Sequence, residues 1–177
     1  MTSRMHDRVQ ARAHAAQEAY AGSADRPLGG YVRVMGVYGG AVGLASLLLR
    51  RSGKRLPERI ELADIALLAV ATHKASRLLT KEAVTSPLRA PFTRFDGVSG
   101  PNELQEEVRH PDGVKHALGE LLTCPFCMAQ WLATGFGFGL VVAPRITRMV
   151  AAVLAVRAGS DVLQYGYAIA QQRASND

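Results

Sequence analysis

Apolar residues along this chain are bunched into blocks. Gly29 to Leu49 carries one charge, Arg33, and from Val34 to Leu49 every residue is apolar or small apart from Tyr38 and Ser46. About 20 residues cross the hydrocarbon core of a bilayer, so residues 29–49 are predicted to form a first membrane helix. A second block, within residues 60–80, is apolar in its first half and carries Asp64, His73, Lys74 and Arg77. Its charges gather near its ends, where long side chains snorkel to the interface, so it reads as a second membrane helix or an interfacial one. Residues 124–143 form a third block, rich in glycine at Gly135, Gly137 and Gly139. A turn over Pro144–Arg148 leads to a fourth, 149–170. A connection that short makes the last two helices antiparallel neighbours.

The polar segments fill the gaps. Residues 1–28 are a polar tail, with Arg8 to Ala21 alanine-rich enough for a surface helix. Residues 81–123 hold turn formers, and prolines at 87 and 91 block a continuous helix. They are read as a polar loop with short helices. Residues 171–177 are a tail. The fold class predicted is all-α: a multi-pass membrane helical bundle of three to four apolar helices, with a polar loop before the third block.

Two features inside the blocks bear on packing. Gly36, Gly40 and Gly43 supply small residues at one-turn spacing, the arrangement that lets helices approach closely in lipid. Arg157 and Asp161 lie one turn apart in the fourth block. Neither charge is tolerable alone in lipid, so they pair with each other or with a neighbour, Arg77 being the candidate partner for Asp161. The plain reading is a structural ion pair.

Composition narrows the partners. The formal net charge is +6, with 20% charged residues, yet no basic face interleaved with aromatics appears, which argues against nucleic acid. The cations flank the apolar blocks, as anchors to a lipid bilayer do. They fall on both faces of a four-span arrangement, so charge selects neither orientation.

Chemistry concentrates in one tetrapeptide, Cys124-Pro125-Phe126-Cys127, which holds both cysteines of the chain. Proline suits the first position of a helix, which puts Cys124 at the N-cap and Cys127 in the first turn. The positive end of a helix stabilises a thiolate. Residues 124, 127 and 131 share one face, so Trp131 is the face partner of the pair. Three readings follow. Cys124 attacks and Cys127 resolves, as in a thiol–disulfide protein; the tetrapeptide looks like a glutaredoxin active site, although the strands of a thioredoxin fold are absent around it. The cysteines bind zinc together with His110 and His116, a set whose spacing matches no standard zinc pattern. Or they pack as small apolar residues at a helix entrance. No cofactor other than zinc is suggested. There is no glycine-rich phosphate loop, and Glu103, Glu106 and Glu107 read as a solvated helix face.

From about Leu62 to about Tyr167 the chain resembles a bacterial family of small membrane proteins, the domain of unknown function 1360. The likeness is carried by Ala71-Thr72-His73-Lys74-Ala75-Ser76-Arg77-Leu78-Leu79-Thr80, by Ser86-Pro87-Leu88-Arg89-Ala90-Pro91-Phe92, and by Gly119 to Cys127 with Trp131 four residues on. The resemblance implies a multi-pass protein of the bacterial cell membrane. One relative is associated with sporulation, and no activity comes with the family. The function expected is that of a non-enzymatic membrane component engaging a protein partner or a second copy of itself. The alternatives are a membrane thiol–disulfide protein using Cys124 and Cys127, and a zinc site on the same pair.

Overall fold

Proline positions set several of the element boundaries. In the computed structural model, which describes residues 2–21, 28–111 and 113–176, Pro125 and Pro144 each stand as the first residue of a long helix. The missing N–H of proline is unpaired there in any case, and its fixed φ already suits a helix. The elements in chain order are α1 (Thr2–Ala21), α2 (Leu28–Arg51), α3 (Leu62–Thr80), a 3-10 turn (Ala83–Thr85), α4 (Ser86–Arg89), β1 (Thr93–Gly100), β2 (Glu103–Val108), α5 (Gly113–Thr123), α6 (Pro125–Val142) and α7 (Pro144–Asn176). Contacts divide the chain into two compact units, Met1–Gly43 with Thr80–Cys124, and Leu44–Leu79 with Pro125–Asp177.

The first unit is built around a hairpin. Strands β1 and β2 pair antiparallel, with Thr93 opposite Val108, Arg94 opposite Glu107 and Val98 opposite Leu104. The turn is Pro101-Asn102, and Asn102 takes φ +62°. Proline followed by a residue of positive φ is the type II pattern, and asparagine tolerates it better than most side chains. The register slips between Phe95 and Gly97 and between Val98 and Gly100, so the extra residues Asp96 and Ser99 sharpen the local twist. One edge of the hairpin is extended by residues 81–82: Leu104 N donates to Lys81 O at 2.8 Å, and Glu82 bridges Glu103. Helix α5 packs on the hairpin at Gly119, where an added Cβ would lie 2.7 Å from Val108 Cγ1.

The second unit is helical. Ala71, Ala75 and Ala151 are buried, as are Lys74, Ser76 and Thr147. Helices α6 and α7 are joined by the single residue Ala143 and touch closely at Gly139, where a Cβ would meet Thr147 Oγ1 at 2.6 Å. A bidentate pair joins the starts of α3 and α7: Arg148 Nε donates to Asp64 Oδ1 at 2.8 Å and Nη2 to Oδ2 at 2.7 Å.

Helix α2 has 24 residues and α6 has 18, lengths of about 36 and 27 Å at 1.5 Å per residue. Both are long and apolar enough to cross a membrane. From Tyr31 to Leu48 every side chain of α2 is exposed or half-buried, and in α6 only Met128 is buried. A soluble core helix would bury such a surface.

Four expectations are revised. The fold is mostly helical but not all-α, because residues 93–108 form a β-hairpin where a polar loop with short helices was expected. Gly97, Gly100 and Pro101 disfavour a helix here, and the Pro-Asn turn closes a hairpin instead. Glu103, Glu106 and Glu107 therefore lie on a strand, and Glu106 is buried rather than solvated. Pro144–Arg148 is the first turn of α7, not a separate turn, and α7 runs through residues 171–176 because Gln171 to Ala174 are good helix formers. Two helices pass as membrane spans by length and composition among the described residues. Helix α3, with Asp64, Lys74 and Arg77, and α7, with Arg145, Arg148, Arg157 and Asp161, are not among them.

Candidate functional site

Arg89 is the most enclosed large side chain of the hairpin unit, with 0% of its surface exposed. It ends α4, a single turn started by Pro87. Its Nε donates to Glu106 Oε2 at 2.7 Å and its Nη2 to Glu106 Oε1 at 2.9 Å. Both terminal nitrogens also reach Glu82 O at 3.2 Å, and Nη1 donates to Thr85 Oγ1 at 2.7 Å. A guanidinium has five N–H groups, so each has an acceptor. Thr93 Oγ1 completes the cluster, 3.0 Å from both Arg89 O and Glu106 Oε2. The cluster ties the 3-10 turn, α4, β1 and β2 together through one side chain. It is fully satisfied and offers no vacant donor to a substrate, so its chemistry is structural. The exposed pair Arg94–Glu107 lies on the same hairpin at 2.6 Å. Its hydrogen bond, and then the carboxylate charge, raise the Arg94 guanidinium above its ordinary value.

The CPFC tetrapeptide lies where α5 gives way to α6. Cys124 is the single residue between them and is half-buried; Cys127 is in the first turn of α6 and exposed. Phe126 is 89% exposed, so the tetrapeptide turns a large apolar side chain outward beside Cys127. Trp131, four residues after Cys127 on α6, is half-buried. Sequence reasoning makes Cys124 the attacking thiol, whereas the more accessible sulfur is that of Cys127.

The histidines weighed as metal ligands have other partners. His116 Nδ1 lies 2.8 Å from His110 O, and its Nε2 lies 3.5 Å from Glu120 Oε1. Among the described residues no group of three or more His, Cys, Asp or Glu side chains comes together to hold a metal ion. The described residues of one chain thus do not bring together the four donors of a structural zinc.

In the helical unit, Asp161 receives Lys74, with Nζ 2.5 Å from Oδ2. Lys74 lies one turn before Arg77 on α3, and it is buried while Arg77 and Arg157 are half-buried and exposed. The need for a cation near Asp161 was legible; that Lys74 supplies one was not. Gly36, Gly40 and Gly43 lie on open surface, with no atom within 4 Å of an added Cβ. Their one-turn spacing makes no close contact among the described residues.

Sequence reasoning missed Arg89, Glu106, Lys74 and the Asp64–Arg148 pair. For Arg89 and Lys74 a signal existed, since both lie in the stretches that carry the family likeness. No curated protein and no solved structure matches the chain. Residues 67–167 match the model of the family described as a protein of unknown function, DUF1360. That stretch runs from within α3 through the Arg89 cluster and the CPFC tetrapeptide into α7 and takes in more than half of the chain, so the protein belongs to the DUF1360 family.

Proposed function

We propose that this protein is a multi-pass component of the bacterial cell membrane that has no catalytic centre and engages a protein partner through its hairpin unit. The observation that carries the reading is the division of labour along the chain. Helices α2 and α6 keep their apolar surfaces uncovered, which suits lipid. The hairpin itself is polar and fixed by the Arg89 cluster, yet it exposes Phe95 by 65% and Val98 by 72% on β1. Exposed apolar side chains on a rigid strand are what a strand-edge or surface contact uses.

Two measurements test this. Alkaline carbonate treatment of membranes should leave the full chain in the pellet; release into the supernatant defeats the membrane reading. A photo-crosslinking residue at position 98 should give one discrete adduct in cells, absent when it stands at position 107. A smear equal at both positions defeats the partner reading.

A second reading rests on the exposure of Cys127 at a helix start. A membrane thiol–disulfide protein would use Cys127 as the accessible sulfur and Cys124 as its neighbour. A partner would have to supply the second dithiol, because the chain holds one pair.

A further inference from the structure

The helical unit carries an apolar groove, open along one side, with a volume of about 540 Å³. Its walls are one face of α3, at every third or fourth residue from Ile65 to Thr72, and one face of α6, from Ala133 to Val141. Leu56 and Ile60, in the segment before α3, line it as well. Thr72 is the only hydroxyl among the lining side chains. The space exists because small residues stand at facing positions: Ala69 on α3, and Ala133 and Gly137 on α6. An added Cβ at Gly137 would find no atom within 4 Å. The volume is that of a ligand site, roughly 300–1,000 Å³. The lining spans about 10 Å of α3 and 12 Å of α6 at 1.5 Å per residue, a slot with the proportions of a chain.

Charge defines what enters with the chain. Residues 50–61 carry five cations, Arg50, Arg51, Lys54, Arg55 and Arg59, against the two carboxylates Glu58 and Glu61. Arg55 directly precedes the lining residue Leu56, and Arg59 precedes Ile60. Lys54 Nζ is 2.5 Å from Val142 O, the carbonyl next to the lining residue Val141. That bond holds the basic segment at the C-terminal end of α6, and all five cationic residues are exposed there.

From this placement we infer that the groove binds one acyl chain of an anionic phospholipid, whose phosphate rests among Arg55, Arg59 and Lys54. The inference rests on the membrane reading above and makes it specific: this lipid is held in a slot of the protein and not only in the surrounding annulus. Apolar lining excludes a polar metabolite, because Thr72 alone would answer its hydrogen bonds. Juxtamembrane lysine and arginine favour an anionic headgroup over a zwitterionic one.

The test uses the full chain purified in detergent, observed by native mass spectrometry while phosphatidylglycerol, phosphatidylcholine or oleate is added. Phosphatidylglycerol should give a single retained adduct, and phosphatidylcholine and oleate should be held more weakly. Gly137→Leu should abolish the adduct, because its side chain fills the slot without meeting a neighbour. Gly135→Leu, on the same helix but outside the lining, should keep it. Arg55→Gln with Arg59→Gln should weaken phosphatidylglycerol about tenfold and leave phosphatidylcholine unchanged. Ala69→Phe fills the same space from α3 and serves if Gly137→Leu melts early. Equal retention by both filled variants, or a neutral isoprenoid in place of phospholipid in the extracted protein, overturns the proposal. Release of the wild-type chain by carbonate overturns the membrane reading instead.

Discussion

Arg89 and Glu106 form a bidentate pair inside the hairpin unit, at 2.7 and 2.9 Å, with side chains 0% and 6% exposed. Seventeen residues separate them in the chain, so the pair closes the unit from α4 to β2. Removing one partner leaves the other charged and buried, which costs on the order of 3–5 kcal/mol. Arg89→Ala or Glu106→Ala should therefore open the hairpin unit to limited proteolysis between residues 93 and 108. Arg89→Lys should rescue little, because an ammonium lacks the planar fork. The double change Arg89→Leu with Glu106→Leu should cost less than either single change. Arg94→Ala should leave the digestion pattern as it is, since the Arg94–Glu107 pair is solvated.

Glycines at close and open positions should respond in opposite ways. A Cβ at Gly119 meets Val108 at 2.7 Å, and one at Gly139 meets Thr147 at 2.6 Å. Valine at either site should lower the melting temperature, with an overpacking cost of about 1–3 kcal/mol. Valine at Gly36 or Gly40 meets nothing among the described residues. It should leave the fold intact, and a loss of dimer in size-exclusion chromatography of that variant would show that the small face packs a second copy.

Lys74 and Asp161 should couple. Asp161→Ala takes a carboxylate away from the buried ammonium of Lys74, while Lys74→Met with Asp161→Leu removes both charges. Thermal melts of the two single variants and the double variant should give a coupling of about 0.5–3 kcal/mol. Independent, additive effects would show that Asp161 draws its stabilisation from another cation.

The cysteines should label unequally. Exposed Cys127 should alkylate before half-buried Cys124. In Cys124→Ser, the thiol–disulfide reading expects Cys127 to capture a partner as a mixed disulfide, because nothing remains to resolve it. No captured partner, together with alkylation no faster than that of a model thiol, ends that reading and leaves the pair as packing residues.

The sequence alone determined the apolar blocks, the CPFC helix start and the family. Each follows from residues close together in the chain: an uninterrupted apolar run sets a span by length, and proline sets a helix start by its own geometry. Tertiary structure decided what depends on distant residues. The hairpin pairs residues 93–100 with 103–108 across a Pro-Asn turn, and its glutamates looked like a helix face until pairing fixed their register. Glu106 became a buried partner only when α4 brought Arg89 to it. Asp161 demanded a cation by electrostatics, and the fold brings Lys74 of α3 to it. The apolar slot was invisible for the same reason: Ala69 and Gly137 are unremarkable small residues until two helices face each other and leave a space between them.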